Sequence, residues 1–189
     1  MTKEPNKISV GIVGAGVIGR RVVGAVRLQP DMALAGVADV AADWRIAMLA
    51  KDGVRLFAAS SQASQTLPES GLDVAGSLED LIAASDVIVD CTPKGIGAQN
   101  ADIYRRAGKP FIVQGGEKHD VAGHSFVAEA TYESALGRDA TRVVSCNTTS
   151  IVRTLGALKR AGLLKKARGT LMRRATDPWE SHLGGIMNT

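Results

Sequence analysis

The stretch TRVVSCNTTS, Thr141 to Ser150, holds one of the chain's two cysteines and is the part of the sequence best suited to covalent chemistry. Its valines predict a strand that ends near Cys146, and the Asn-Thr-Thr string is typical of the start of a helix. The thiolate form of cysteine is the nucleophile, and the N-terminal end of a helix favours an anion. We therefore interpret Cys146 as a nucleophile, against the alternative of a buried, unreactive thiol. Cys91 ends a predicted core strand, and we expect it to be unreactive.

A second motif, GAGVIG, lies between a predicted strand at residues 8–13 and a predicted helix at residues 17–28. Its glycines, Gly14, Gly16 and Gly19, fit the pattern G-x-G-x-x-G. In that pattern the first glycine permits a tight turn, the second lets a pyrophosphate approach the backbone, and the third lets the helix pack on the strand. The helix N-terminus then offers N–H groups to the phosphates, so the motif predicts a dinucleotide site.

An acidic residue, Asp39, ends the second predicted strand, about 20 residues after the last glycine of the motif. A carboxylate at that position accepts a hydrogen bond from the ribose 2′-hydroxyl and repels a 2′-phosphate. The sequence therefore favours NAD over NADP, although Arg45 is close enough in sequence to leave use of NADP open. The alternative is that Asp39 serves only as a turn residue.

Two more loops follow predicted strands and carry residues suited to ligand binding. DCTPKGIGAQN places Thr92 just after one strand, and QGGEKH places paired glycines, including Gly116, after the next. Ligands of open parallel sheets bind at the carboxyl ends of the strands. Together the two loops predict a crevice at that edge.

Apolar runs alternate with amphipathic segments, a pattern that predicts an α/β fold. Predicted strands cover residues 8–13, 32–39, 54–59, 86–91, 110–114 and 141–146, and predicted helices cover 17–28, 43–52, 77–85, 98–108 and 147–164. Residues 60–71 and the segment between 114 and 141 are expected to be loops, and Ser77 with Asp80 is typical of a capping box. We predict a doubly wound parallel sheet of the Rossmann type over residues 1–145, followed at 146–189 by the start of a second, catalytic α+β domain with a strand-like segment at 167–175.

Composition narrows the class of protein. The 189 residues carry a net charge of +4, which is too small to argue for nucleic acid, and the two cysteines favour a reducing, cytoplasmic setting. No apolar run is long enough to cross a bilayer, so no membrane partner is expected. The basic stretch KRAGLLKKARGTLMRR is interpreted as a solvated helix end and anion-binding arginines rather than a nucleic-acid site, and no metal site is predicted.

The chain resembles type II glyceraldehyde-3-phosphate dehydrogenase, the form typical of archaea and found in some bacteria. The resemblance runs in order through GAGVIGRRV, DCTPKGIGAQN, QGGEKH, TRVVSCNTTS and RRATDP, over essentially the whole chain. It implies a cytoplasmic homotetramer that reversibly oxidises glyceraldehyde 3-phosphate to 1,3-bisphosphoglycerate. Its partners would be a small phosphorylated aldehyde, inorganic phosphate and NAD or NADP, with a thioester on the cysteine.

The resemblance also implies roles for individual residues. Cys146 would be the nucleophile, and Ser145 and Asn147 would contact the substrate. The residues implied in cofactor binding, besides the glycine motif, Asp39 and Thr92, are Val17, Ile18, Gly116 and Arg174.

Two departures from this family affect the interpretation. Asp39 stands where members usually have a small or basic residue, which favours NAD. Members are also nearly twice as long, and their catalytic histidine lies beyond the point that matches Thr189, so the sequence is interpreted as an N-terminal fragment. His119, His124 and His182 do not match that histidine, and His124 and His182 are expected to be surface or loop residues. The alternatives are a non-catalytic dinucleotide-binding module or another cysteine-dependent semialdehyde or acyl-phosphate reductase.

Overall fold

A computed structural model describes residues 7–114 and 116–172, and the packing of the chain divides it into two units, Met1–Ser145 and Cys146–Thr189. The described part of the first unit contains eight strands, which form one parallel sheet. The strands are β1 Ile8–Val13, β2 Met32–Asp39, β3 Leu56–Ala58, β4 Val74–Ser77, β5 Val87–Asp90, β6 Phe111–Val113, β7 Ser125–Phe126 and β8 Ala140–Val143. The helices of this unit are α1 Val17–Arg27, α2 Trp44–Lys51, α3 Ala63–Glu69, α4 Leu78–Ala84, α5 Ile96–Arg106, α6 His119–Ala122 and α7 Ala128–Ala135. The predicted doubly wound α/β fold is confirmed.

The sheet has a separate hydrophobic core on each face. Successive residues of a strand point to opposite faces, so Phe57 packs in one core while its neighbours Leu56 and Ala58 pack in the other. Apolar residues of α1, α2 and α3 join the core of Leu56, and those of α4 and α5 join the core of Phe57. The central strands are mostly apolar because both of their faces are covered.

The strand order β4-β3-β2-β1-β5-β6-β8-β7 places the first strand beside the fifth. The chain builds outward from β1 to β4, crosses back, and continues from β5 on the other side of β1. At such a reversal the loops after the two neighbouring strands diverge and leave a crevice at their carboxyl ends. Val13 pairs with Asp90, so the glycine turn after β1 and the Thr92 loop after β5 start side by side.

The predicted loop at residues 60–71 is wrong, because this segment contains α3. Its composition is polar, yet Ala63 and Leu67 lie one helical turn apart and are both 1% exposed in the core. Ser60 Oγ accepts a hydrogen bond from the Ala63 N–H at 3.1 Å, which satisfies the backbone donor of the first residue of α3. Pro68 falls in the last turn on the exposed side, where the loss of one backbone hydrogen bond is tolerated. The short strand β4 that follows α3 was also not predicted.

The predicted loop between β6 and β8 is wrong as well, since it contains α6, β7 and α7. Strand β7 has only two residues and pairs with β8 at the sheet edge. An element this short has no periodicity of its own, so only its pairing partner identifies it.

The predicted capping box of α4 is confirmed. Ser77 Oγ accepts from the Asp80 N–H at 3.3 Å, and the Asp80 carboxylate accepts from the Ser77 N–H at 2.8 Å. The hydrogen bonds from the Ser77 backbone and side chain hold the pKa of Asp80 below its usual value.

In the second unit the described residues contain one helix, α8 Cys146–Arg160, with a strongly basic last turn. No strand is found over the described residues 161–172, so the strand-like interpretation of residues 167–172 is wrong. The rest of that segment, including Arg174, lies outside the described residues, and the second α+β domain remains a prediction.

Candidate dinucleotide site and cysteine corner

The turn between β1 and α1 uses each of its three glycines differently. Gly14 has φ +87°, and its N–H donates to the Ala38 carbonyl at 2.8 Å. A Cβ on Gly14 would lie 2.9 Å from the Thr92 nitrogen, and one on Gly19 would lie 1.9 Å from the Gly14 oxygen. A Cβ on Gly16 would meet no atom within 4 Å. The turn is therefore closed tightly by its first and third glycines and has open space in front of its second.

Asp39 fastens the end of β2 to this turn. Its Oδ2 accepts from the Ala15 N–H at 2.6 Å, and its Oδ1 accepts from the N–H groups of Val40 and Ala41 at 2.7 and 2.8 Å. An ionised carboxylate has about four lone-pair positions, so these three bonds leave room for one more donor. The carboxylate is thus held beside the glycine turn with capacity to accept from a ligand hydroxyl.

Arg45, whose positive charge left use of NADP open, forms an ion pair with Asp43. Arg45 Nε donates to Asp43 Oδ2 at 2.9 Å, and Nη2 of the same guanidinium also contacts this oxygen. The hydrogen bond from Arg45 lowers the pKa of Asp43, which also caps α2 through the Arg45 N–H. This ion pair offsets part of the positive charge that a 2′-phosphate would need.

The Thr92 loop is anchored by a buried carboxylate that sequence reasoning missed. Asp90 is 1% exposed and accepts from the backbone N–H and hydroxyl of Thr92, from Asn100 Nδ2 at 2.9 Å and from Tyr104 Oη at 2.7 Å. Burial, and then the neighbouring Asp90, raise the pKa of Tyr104, so this phenol stays a proton donor. The Thr92 hydroxyl proton points to Asp90, and only an oxygen lone pair remains available to a ligand.

The loop after β6 contributes an open glycine and a second buried carboxylate. Gly116 has φ +86°, and a Cβ there would meet no atom within 4 Å. Glu117 is 5% exposed, and its Oε1 accepts from the Gly95 N–H at 2.6 Å. No local sequence pattern pairs residues 22 positions apart, so this contact could not be predicted.

The two cysteines differ in exposure. Cys91 is half-buried, and burial, with a smaller contribution from Asp90, raises its pKa to about 12. It is therefore a neutral thiol near neutral pH, in agreement with its predicted lack of reactivity. Cys146 is exposed, is the first residue of α8, and follows the last residue of β8 by three positions. The predicted strand-to-helix corner is confirmed, while the nucleophilic role of Cys146 stays a prediction.

Some of the remaining predicted site residues belong to the described part of the chain, and others do not. Val17 and Asn147 are half-buried, whereas Ile18 and Ser145 are exposed. Their contacts with cofactor and substrate stay predictions. Arg174 and His182 lie outside the described residues.

His124 lies in the loop between α6 and β7, one of the two predicted settings, but it is buried rather than at the surface. Its side chain is bonded on both sides, by Nδ1 to Thr141 Oγ1 at 2.6 Å and by Nε2 to Ser134 Oγ at 2.9 Å. Burial lowers its pKa, with smaller contributions from Arg138 and His119. His124 therefore acts as a structural link between α7 and β8.

No group of three or more His, Cys, Asp or Glu side chains in residues 7–114 and 116–172 is placed to hold a metal ion. Within the same ranges, no helix has the length and apolar character needed to cross a membrane.

Comparisons with known proteins agree with this geometry. A family model described as "Dihydrodipicolinate reductase, N-terminus" matches residues 8–122. Curated proteins named glyceraldehyde-3-phosphate dehydrogenase are similar over almost the whole chain. Those from Sulfolobus acidocaldarius and Thermococcus kodakarensis are each 46% identical over 95% of this chain, which covers 52% and 53% of their lengths. The chain thus spans about half the length of the curated relatives it matches, and the resemblance seen in its motifs is confirmed.

A solved structure shows the same fold at lower identity. Aspartate semialdehyde dehydrogenase II from Vibrio cholerae, in complex with ASA, matches with a TM-score of 0.55 and 14% identity. The match covers 82% of this chain and 47% of that one. At this identity the similarity supports the Rossmann-like fold alone.

Proposed function

Because this chain belongs to the family described as dihydrodipicolinate reductase, N-terminus, and is 46% identical over 95% of its length to glyceraldehyde-3-phosphate dehydrogenases, we propose that it carries the cofactor site and nucleophile of such an enzyme. The reaction is the reversible, phosphorylating oxidation of glyceraldehyde 3-phosphate to 1,3-bisphosphoglycerate with NAD. The observation that carries the proposal is the exposed Cys146 at the start of α8, within the sequence shared with those relatives.

The residues of the first unit fit a dinucleotide. The open space in front of Gly16 lets a pyrophosphate approach the backbone, and the N-terminal end of α1 favours its negative charge. Asp39, with one acceptor position to spare, binds a ribose hydroxyl and disfavours a 2′-phosphate. Val17, Ile18, Thr92 and Gly116 complete the proposed cofactor contacts, together with Arg174, and NADP is the second cofactor to test.

The proposed chemistry is centred on the sulfur of Cys146. The thiolate attacks the aldehyde carbon and forms a C–S bond, which gives a hemithioacetal. The hemithioacetal forms as its alkoxide, so loss of a hydride from the same carbon re-forms the C=O bond and leaves a thioester on Cys146. Bound NAD supplies the acceptor for the hydride. An oxygen of inorganic phosphate then attacks the thioester carbon, the C–S bond breaks, and the thiolate is regenerated.

Other residues of the corner serve the substrate in this proposal. Ser145 and Asn147 contact the glyceraldehyde phosphate, and the first turn of α8 provides N–H groups that stabilise negative charge near the sulfur. Residues 146–189 form the beginning of the catalytic domain, and the assembly is a cytoplasmic homotetramer. His124, buried and bonded to Thr141 and Ser134, is not assigned the role of base.

Selective alkylation tests the assignment of the nucleophile. With a pKa of about 12, Cys91 is thiolate in roughly one molecule in 10⁴ at pH 8, so iodoacetamide should modify Cys146 first by a wide margin. Peptide mass spectrometry on the native chain measures the two rates. Cys146→Ser should abolish the fast phase, and Cys91→Ser should leave it intact. Equal rates for the two cysteines would count against the proposal.

The same variants separate the alternative functions in an assay of phosphate-dependent aldehyde oxidation. The polypeptide that carries this chain should oxidise glyceraldehyde 3-phosphate in preference to aspartate semialdehyde, and Cys146→Ser should remove the activity. Dinucleotide binding without any acyl-enzyme would instead identify a non-catalytic binding module. Preference for another aldehyde would identify a different cysteine-dependent reductase.

A further inference from the structure

Glu117 is a buried carboxylate that the proposed chemistry leaves without a role. Its side chain is held against the start of α5, where its Oε1 accepts from the Gly95 N–H at 2.6 Å. A Cβ on Gly97 would lie 3.2 Å from the same oxygen, so the helix backbone closes tightly around it. A buried carboxylate is costly unless it is hydrogen-bonded, and this bond therefore ties the loop after β6 to the loop after β5.

The tie supplies an acceptor for the N-cap N–H that the local sequence of α5 lacks. Gly95 is the N-cap residue, with φ +94°, and it has no side chain to accept from the first turn. In a capping box the N-cap N–H is accepted by a Glu or Gln at the third helical position, which in α5 is Ala98. Glu117 supplies a negative charge to the positive end of the helix dipole from 22 residues away.

The same loop is also fastened to the strand that leads to the cysteine corner. The Glu117 carbonyl accepts from Arg142 Nη1 at 2.7 Å, and Arg142 Nε donates to Ser125 Oγ at 2.8 Å. Ser125 Oγ also lies 2.9 Å from His119 Nδ1. The backbone and side chain of Glu117 thus connect β8 and β7 with the N-terminal end of α5.

The loop that Glu117 holds forms one wall of the dinucleotide crevice. Within this loop, Thr92 is so close to the glycine turn that a Cβ on Gly14 would lie 2.9 Å from the Thr92 nitrogen. Asp90 fixes the start of this loop and Glu117 fixes its end at Gly95. A shift of Gly95 would therefore change the width of the crevice beside Gly14.

We propose that Glu117 is a positioning residue for dinucleotide binding, which sets the separation of the crevice loops through its bond to Gly95. The proposal rests on the proposed function, because it requires the crevice to bind NAD. The length of the side chain is what matters, since the carboxylate must reach a backbone N–H on another loop. Glu117→Asp keeps the charge and removes the reach, whereas Glu117→Gln keeps the reach and an acceptor oxygen.

The test measures NADH affinity by calorimetry and amide hydrogen exchange at Gly95, using the 189-residue chain. We expect Glu117→Asp to raise the Kd for NADH on the order of tenfold and to speed exchange at Gly95 by a similar factor. Glu117→Gln should raise the Kd only about threefold, because its amide oxygen still accepts, although without the charge. The matched control Glu133→Asp changes an exposed glutamate of α7 and should leave both quantities within about twofold of the parent.

The outcomes of this test distinguish a failure of the positioning role of Glu117 from a failure of the proposed function. A Kd for Glu117→Asp within twofold of the parent, with or without a lower melting temperature, would overturn the positioning role and leave a structural one. If the aspartate variant does not fold, an unchanged Kd and unchanged Gly95 exchange in Glu117→Gln would overturn it as well. No binding of NADH by the parent chain would overturn the proposed function, and the positioning role with it.

Discussion

At the scale of single residues, the proposed cofactor crevice depends on a few side chains that are already committed to protein contacts. Asp39 accepts three backbone N–H groups, and the Thr92 hydroxyl donates to Asp90. Such residues are fixed in place before a ligand arrives, so little conformational entropy is lost on binding. What each can offer a ligand is the hydrogen-bonding capacity that remains.

Asp39 is expected to decide between the two nicotinamide cofactors. Asp39→Asn removes the charge that repels a 2′-phosphate and keeps an oxygen that can accept from the Ala15 N–H. The Kd for NADPH should fall on the order of tenfold, and the Kd for NADH should change less. Fluorescence titration with both cofactors measures the ratio, and Asp52→Asn, at an exposed aspartate that ends α2, is the control. An unchanged Kd for NADPH would contradict the assignment.

At the scale of elements, helices α4 and α5 obtain the acceptor for their N-cap N–H in different ways. Helix α4 carries its own capping box, whereas α5 depends on a carboxylate from a distant loop. A local cap can be recognised in the sequence. Substitution of its residues measures its contribution to the free energy of unfolding.

The capping box of α4 should contribute to stability in a pH-dependent way. The pKa of Asp80 is lowered in the folded chain, so its contribution is present above the unfolded value near 3.8 and is lost as pH falls through the folded pKa. Urea unfolding at pH 7 should show that Ser77→Ala costs about 1 kcal/mol. Asp80→Asn should destabilise the chain at pH 7, and its difference from the parent should shrink below pH 3.8.

A neighbouring aspartate provides the control for this helix. Asp73 is exposed and precedes β4, and Asp73→Asn should change the free energy of unfolding by less than about 0.5 kcal/mol at pH 7. A difference between Asp80→Asn and the parent that stays constant down to pH 2 would contradict the role of the Asp80 carboxylate.

At the scale of the whole molecule, the described first unit is a parallel sheet with a core on each face and a crevice where the strand order reverses. The glycine turn, Asp39 and the Thr92 loop meet at that reversal because β1 lies between β2 and β5. A ligand held by three loops of one unit binds the folded chain and not the unfolded one, so it must stabilise the fold.

Saturation with NAD should therefore raise the free energy of unfolding. At a concentration of 100 times the Kd the expected gain is about 2.7 kcal/mol. Urea unfolding with NAD, with NADP at the same concentration, and without ligand measures the effect, and NADP should stabilise less because of Asp39. The same midpoint in all three titrations would show that the crevice does not bind a dinucleotide.

Much of the fold follows from patterns that are local in the sequence. Strand β2 was predicted at its observed bounds, since eight consecutive residues with a strong apolar bias end at a single carboxylate. Gly14 and Gly19 were predicted from spacing alone, and their collisions with neighbouring backbone explain why the spacing is needed. The corner at Cys146 was visible because a valine-rich strand is followed by residues that start helices.

The sequence by itself therefore determined the fold class, the position of the glycine turn and the corner at Cys146, because each depends on residues within a few positions of one another. Only the tertiary structure decided that the polar segment 60–71 folds as α3, that His124 is buried, and that Glu117 accepts from the Gly95 N–H at the start of α5. Each of these depends on a partner that the chain brings close only when the sheet forms. Hydrogen bonds and burial between distant residues leave no periodic pattern in a single sequence.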